Sequence, residues 1–174
     1  MQRRKAILAT VIGIAFCAAS GPSLAAKPSY EFGSIPMSAS VKRVPAGAKA
    51  DKDCWNQDPG CTFFLPRDGI TYSIDEDVIS LKEMLASPDN AARLPYGLAT
   101  TDTKDRAVAK VSIRLGVKFT CQPDTDNDKA NPDGTLCFSG PLDPHTDETL
   151  GVNLRFTKGG RLHSVSLSQA GPSD

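Results

Sequence analysis

Histidine, the group that acid–base catalysis draws on most, is scarce: the 174-residue chain has two, His145 and His163. A hydrolase needs a nucleophile, a base and an orienting group that converge in space, and this supply is thin. His163 alternates with Ser164 and Ser166 in a strand-like run, where an ordinary place on a sheet face is expected. His145 falls in the polar turn Pro144-His145-Thr146-Asp147. The chain also lacks a Gly-x-Ser-x-Gly elbow, a His-Glu-x-x-His helix and a glycine-rich phosphate loop, so no cofactor is expected. Net charge is absent too, 20 basic residues facing 20 acidic ones. That excludes the basic footprint that phosphate neutralisation requires, and nucleic acid is not an expected partner. No internal repeat or low-complexity block is evident.

The uncharged run Ala6 to Ala19 is shorter than the roughly 20 apolar residues that cross a bilayer as a helix, so no integral membrane anchor is expected. Preceded by Arg3, Arg4 and Lys5, it has the anatomy of an export signal. Ser20-Gly21-Pro22 breaks the run, and Ser23-Leu24-Ala25 places small residues at both recognition positions. Cleavage is expected after Ala25, with Ala26 the neighbouring choice. The bulk of Phe16 before Cys17 argues against lipidation, and the surroundings of Arg3-Arg4 fit twin-arginine export poorly. General secretion to the periplasm or beyond follows. Removal of residues 1–25 leaves 149 residues with 17 basic against 20 acidic groups, enough chain for one domain that buries about 70% of its unfolded surface. Residues 26–53 are read as an extended arm able to contribute an edge strand, 54–169 as a single domain and 170–174 as a tail.

Loss of the signal removes Cys17 and leaves four cysteines, an even number suited to an oxidising compartment. Three pairings are possible. Local spacing favours Cys54 with Cys61 and Cys121 with Cys137, each pair flanking its own turn-rich loop. Zinc is the rival reading, but the spacings lack a Cys-x-x-Cys knuckle.

Thr62 to Leu65 and Ile70 to Ile74 flank Arg67-Asp68-Gly69, a hairpin signal. Val78 to Leu85 reads equally as helix or strand. A helix is expected from Asp102 or Thr103, each a plausible N-cap, to Leu115, with Ala107, Val108, Val111 and Leu115 on one face and Gly116 as the stop. A strand over 111–121 is the competing reading. Runs at 117–121, 135–138, 151–157 and 162–167, separated by turns, predict an antiparallel meander with one face against the helix. The expected fold class is α+β, a small antiparallel sheet packed by one or two helices and held by two disulfides.

Asp124, Asp126 and Asp128 alternate as hard-cation ligands do in a bent loop, and calcium is the cation they suit. Counted from Asp124, Lys129 and Thr135 stand where an EF-hand has its glycine and its bidentate glutamate. Asp75-Glu76-Asp77 is an acidic group with the ordinary explanation of a solvated turn. Arg106, Lys110, Arg114 and Lys118 recur every four residues; local partners such as Asp102 to Arg106 account for them. In the last strands, Leu154, Phe156 and Leu167 are expected in the core, with Arg155, Lys158 and Arg161 toward solvent, available to an acidic partner.

Pro95-Tyr96-Gly97-Leu98 leading into a helix, followed by strands ending Val152-Asn153-Leu154-Arg155-Phe156-Thr157-Lys158-Gly159-Gly160-Arg161-Leu162-His163-Ser164-Val165, resembles the small α+β units of the SmpA/OmlA outer-membrane-assembly lipoproteins. It is similar too to the β-lactamase-inhibitor proteins, over about residues 95–168. The lipidated cysteine of the former is absent. What the resemblance implies is an envelope protein that acts through its surface, without cofactor or active site; no functional residue carries over. The function expected is an exported periplasmic binding or inhibitory protein whose partner is an envelope protein. The alternatives are an envelope hydrolase with a carboxylate site and a calcium-dependent structural protein.

Overall fold

A computed structural model describes residues 29–50, 54, 61–124, 133–142 and 150–169. Its strands are β1 (Lys49–Ala50), β2 (Cys61–Leu65), β3 (Ile70–Asp75), β4 (Val78–Leu85), β5 (Phe119–Pro123), β6 (Thr135–Ser139), β7 (Leu150–Phe156) and β8 (Leu162–Gln169); the one α-helix among the described residues, α1 (Lys104–Leu115), lies between β4 and β5. All eight strands join a single antiparallel sheet in the order β1-β2-β3-β4-β8-β7-β6-β5. The expected α+β class, a small sheet packed by one or two helices, is therefore corrected: the described residues are dominated by an eight-stranded antiparallel sheet with one α-helix. The difference arises in the first half, where the ambiguous Val78–Leu85 is a strand and the arm itself adds β1 at the sheet edge.

Two meanders, β1 to β4 and β5 to β8, meet where their last strands pair, Leu81 opposite Ser168 and Leu85 opposite Ser164. Alternation along β2, β3 and β7 puts Phe63, Leu65, Ile70, Tyr72, Val152, Leu154 and Phe156 on one face, buried to within 1%. Leu167, like Leu154 and Phe156, is fully buried as expected. In β4 the alternation is interrupted, because Ser73 faces Leu81 while Ile74 faces Ile79, leaving Ser80 as an extra residue. The inward set becomes Ile79, Lys82 and Met84.

Helix α1 covers part of this core face through Ala107 and Val111, and Gly116 in the left-handed conformation (φ 73°) ends it. Asp102, 1% exposed, accepts hydrogen bonds from the Ala99 amide at 2.7 Å and from Lys110 Nζ at 3.0 and 2.7 Å, with Arg106 Nε at 3.3 Å. Burial alone would raise its pKa; the Lys110 and Ala99 bonds and the charges of Lys110 and Arg106 outweigh that and hold it below the ordinary carboxylate value. The arm covers the rest of the core face. Gly33 (φ +76°) sits where a methyl group would lie 2.4 Å from Ile70 Cδ1 and 2.5 Å from the Tyr72 hydroxyl, so only glycine allows this approach. Asp68 accepts from the Ser34 amide at 2.9 Å, the Ser34 hydroxyl at 2.6 Å and the Tyr72 hydroxyl at 2.6 Å. Tyr96, itself at φ 60°, donates to the Tyr30 carbonyl and meets Phe32 edge-on at 6.0 Å. Farther on, residues 38–41 pair with 77–79, beside the part of β4 that lies beyond its pairing with β8.

Both expected cysteine pairs are bonded, Cys54 to Cys61 and Cys121 to Cys137. The second joins residues directly opposite each other on β5 and β6, with Cα atoms 4.0 Å apart. Among the described residues no helix is long and apolar enough to cross a membrane.

Candidate functional site

One face of the sheet is covered by helix and arm; the registers define the other. A row of directly opposed residues runs across it as Phe64, Thr71, Glu83, Ser166, Asn153, Phe138 and Thr120, one from each strand between β2 and β5. A second row, Leu85, Ser164, Arg155, Leu136 and Gln122, lies beside it, and a third contains Ser73, Leu81, Ser168 and Gly151 on the other side. Strand spacing of about 4.8 Å makes the distance from Phe64 to Phe138 about 24 Å.

Most of the residues in these rows are polar, with large apolar side chains set among them. Phe64, Leu85 and Phe138 lie on this face, three of the four large apolar side chains that stay exposed among the described residues; the fourth, Ile113, projects from α1 and is 85% exposed. Between Leu81, Glu83, Leu136, Phe138, Asn153 and Arg155 the face forms an open groove of about 430 Å³, within the range of roughly 300–1,000 Å³ that small ligands and side-chain clusters occupy. Hydroxyls of β8 run along its floor, and Asn153 Nδ2 donates to Ser168 Oγ at 2.9 Å. Gly151 also lines it, and a methyl group there would sit at ordinary contact distance, 3.5 Å from the Ser139 carbonyl.

The charges on this face are unequal in their partners. Arg155 Nη1 stands 3.8 Å from Asp124 Oδ2. Glu83, half-buried on β4 in the first row, has no hydrogen-bond or ion-pair partner among the described residues. The cations expected to await an acidic partner are partly answered within the chain, since Lys158 Nζ meets Asp133 Oδ2 at 3.1 Å and Arg155 lies beside Asp124. Arg161 is exposed.

Of the calcium candidates, Asp124 is described and Asp126 and Asp128 lie outside the described residues. The Asp124 side chain is 1% exposed, and neither of its oxygens has a hydrogen-bond partner. No group of three or more His, Cys, Asp or Glu side chains able to hold a metal occurs among the described residues. His145 is likewise outside the described residues. His163 is the extra residue of a bulge, since Arg155 faces Ser164 while Phe156 faces Leu162. Asp75-Glu76-Asp77 closes the β3–β4 hairpin, with Glu76 (φ 47°) and Asp77 (φ 64°) as the two left-handed turn residues that a type I′ turn requires. In the basic series, Arg106 and Lys110 serve Asp102, and Lys118 lies beyond the end of α1.

Glu83, Phe64 and Phe138 were not legible as a site in the sequence, because Phe64 and Phe138 occupy outward positions of separate short strands and Glu83 lies on β4, whose period is broken at Ser80. Only the pairing of β4 with β8 places them in one row. No protein-family model, curated protein or solved structure matches the chain.

Proposed function

We propose that the mature chain is an exported, non-catalytic binding protein of the periplasm or extracellular space, and that its partner is another envelope protein docked on the open sheet face. The observation that carries this reading is the groove of about 430 Å³ on that face, where Leu81, Leu136 and Phe138 stand among polar side chains, with Phe64 and Leu85 exposed elsewhere on the same face. Isolated exposed apolar residues are normal on any protein; a group of them rimmed by polar residues marks an interaction surface. The two disulfides suit an oxidising compartment, in keeping with the export signal read at residues 1–25.

The test is co-purification from envelope extract with three tagged proteins. Wild type and Ile113→Asp, altered on the outer side of α1, are expected to retain the same partner. Gly151→Val adds bulk to the groove at a position where the Cβ itself meets ordinary contacts, and is expected to lose it; a melting temperature measured alongside separates loss of the partner from loss of folding. Retention of the partner by Gly151→Val, or turnover of an envelope substrate abolished by one Asp or Glu substitution, overturns the reading.

A further inference from the structure

We propose that the open face receives a polypeptide segment with a basic side chain at its centre and apolar side chains toward its ends, the basic group meeting Glu83. The inference rests on the binding role proposed above and gives the partner's chemistry. Glu83 stands between Phe64 and Phe138 in its row, two strands from the first and three from the second. Its carboxylate has no partner among the described residues, and its cross-strand neighbours, Thr71 and Ser166, bring hydroxyls rather than cations. Docking of an apolar segment over Phe64 and Phe138 would remove water from this carboxylate. An unpaired charge so covered is costly, and a matched one adds a charge-assisted hydrogen bond. A neutral or acidic segment is disfavoured for that reason. The cation already on this face cannot serve instead, because Arg155 lies in the neighbouring row with its guanidinium beside Asp124. The sign of the expected partner is thus reversed: the matched charges are Lys158 with Asp133 and Arg155 with Asp124, and the unmatched one at the centre of the face is negative.

About seven residues of extended chain span the distance from Phe64 to Phe138, so the probes are three heptapeptides with phenylalanine at both ends and lysine, norleucine or glutamate at the centre. Isothermal titration is expected to rank lysine above norleucine by about tenfold, with glutamate weakest. In Glu83→Gln the lysine preference disappears, while Phe138→Ser weakens the lysine and norleucine peptides alike. Amide shifts in the wild-type protein should centre on Thr71, Glu83, Ser166 and Asn153. Equal binding of the lysine and norleucine peptides, a lysine preference that survives Glu83→Gln, or binding of none of the three overturns the proposal. Should envelope capture still depend on Gly151 after any such result, the binding role stands and only this account of its chemistry fails.

Discussion

Lys82 is fully buried on the core face of β4, where its Nζ is paired with Glu31, donates to the Phe32 carbonyl at 3.0 Å and lies 5.7 Å from the centre of the Phe32 ring. Burial depresses its pKa below the ordinary lysine value, opposed by the hydrogen bond and charge of Glu31 and the charge of Asp68. Such a pair is asymmetric: losing one partner strands the other, whereas an apolar replacement of the buried ion is often tolerated. Glu31→Ala is therefore expected to destabilise by about 2 kcal/mol, less than a wholly buried pair because the Glu31 side chain is 35% exposed. Lys82→Met should cost about 1 kcal/mol or less; urea unfolding of the two variants checks the order. At Gly33, alanine would combine a strained φ with contacts to Ile70 and Tyr72, for an expected loss of about 2 kcal/mol or more. The sequence hid this clamp for a physical reason. The inward positions Ile79, Lys82 and Met84 are spaced by three and then two residues across the Ser80 bulge, so neither a helical nor a strand period fits, and a lysine is not an obvious core residue.

Elements whose signals are local were the most legible. Helix α1 begins after Thr103 and stops at Gly116 because its apolar spacing and its left-handed terminator lie within the segment itself. Its attachment depends on Asp102, and Asp68 plays the same part for the arm: the hydrogen bonds of Ser34 and Tyr72 and the charge of Arg67 overcome the effect of burial and lower its pKa. A carboxyl whose folded pKa is depressed adds stability above its unfolded value, lost as pH falls through the folded one. The protein is expected to lose stability below about pH 4, and Asp102→Asn, with the Lys110 attraction gone, should be less stable at neutral pH and show a flatter acid limb. Denaturant midpoints measured against pH are the check. Between β5 and β6, the Cys121–Cys137 bridge has a sequence separation of 16. Its reduction should cost about 3 kcal/mol in the loop-entropy model, read as a lower melting temperature for the Cys121→Ser/Cys137→Ser variant.

On the scale of the whole molecule, the decisive contact is β4 with β8, which joins residues 81–85 to 164–168. No local pattern encodes it, and this is why the C-terminal meander and the β2–β3 hairpin were foreseeable while the eight-stranded sheet and its open face were not. Central strands should hold the most protected amides in hydrogen exchange. Backbone groups of β4 and β8 are expected to open only with global unfolding, those of β5 and of the two-residue β1 earlier.

The position of β8 has a consequence for the order of events when such a chain emerges N-terminus first. Strands β1 to β4 can form their meander early, yet the neighbour that β4 requires on its other side appears only after α1 and β5 to β7, and ends at Gln169, whose side-chain amide donates to Ser38 in the arm. Until then the side of β4 that accepts β8 is an unpaired strand edge, and the core half belonging to Val152, Leu154, Val165 and Leu167 does not exist. The chain is in this sense self-timed: the sheet closes through β4 only when β8 arrives, and the same step brings Gln169 to the arm.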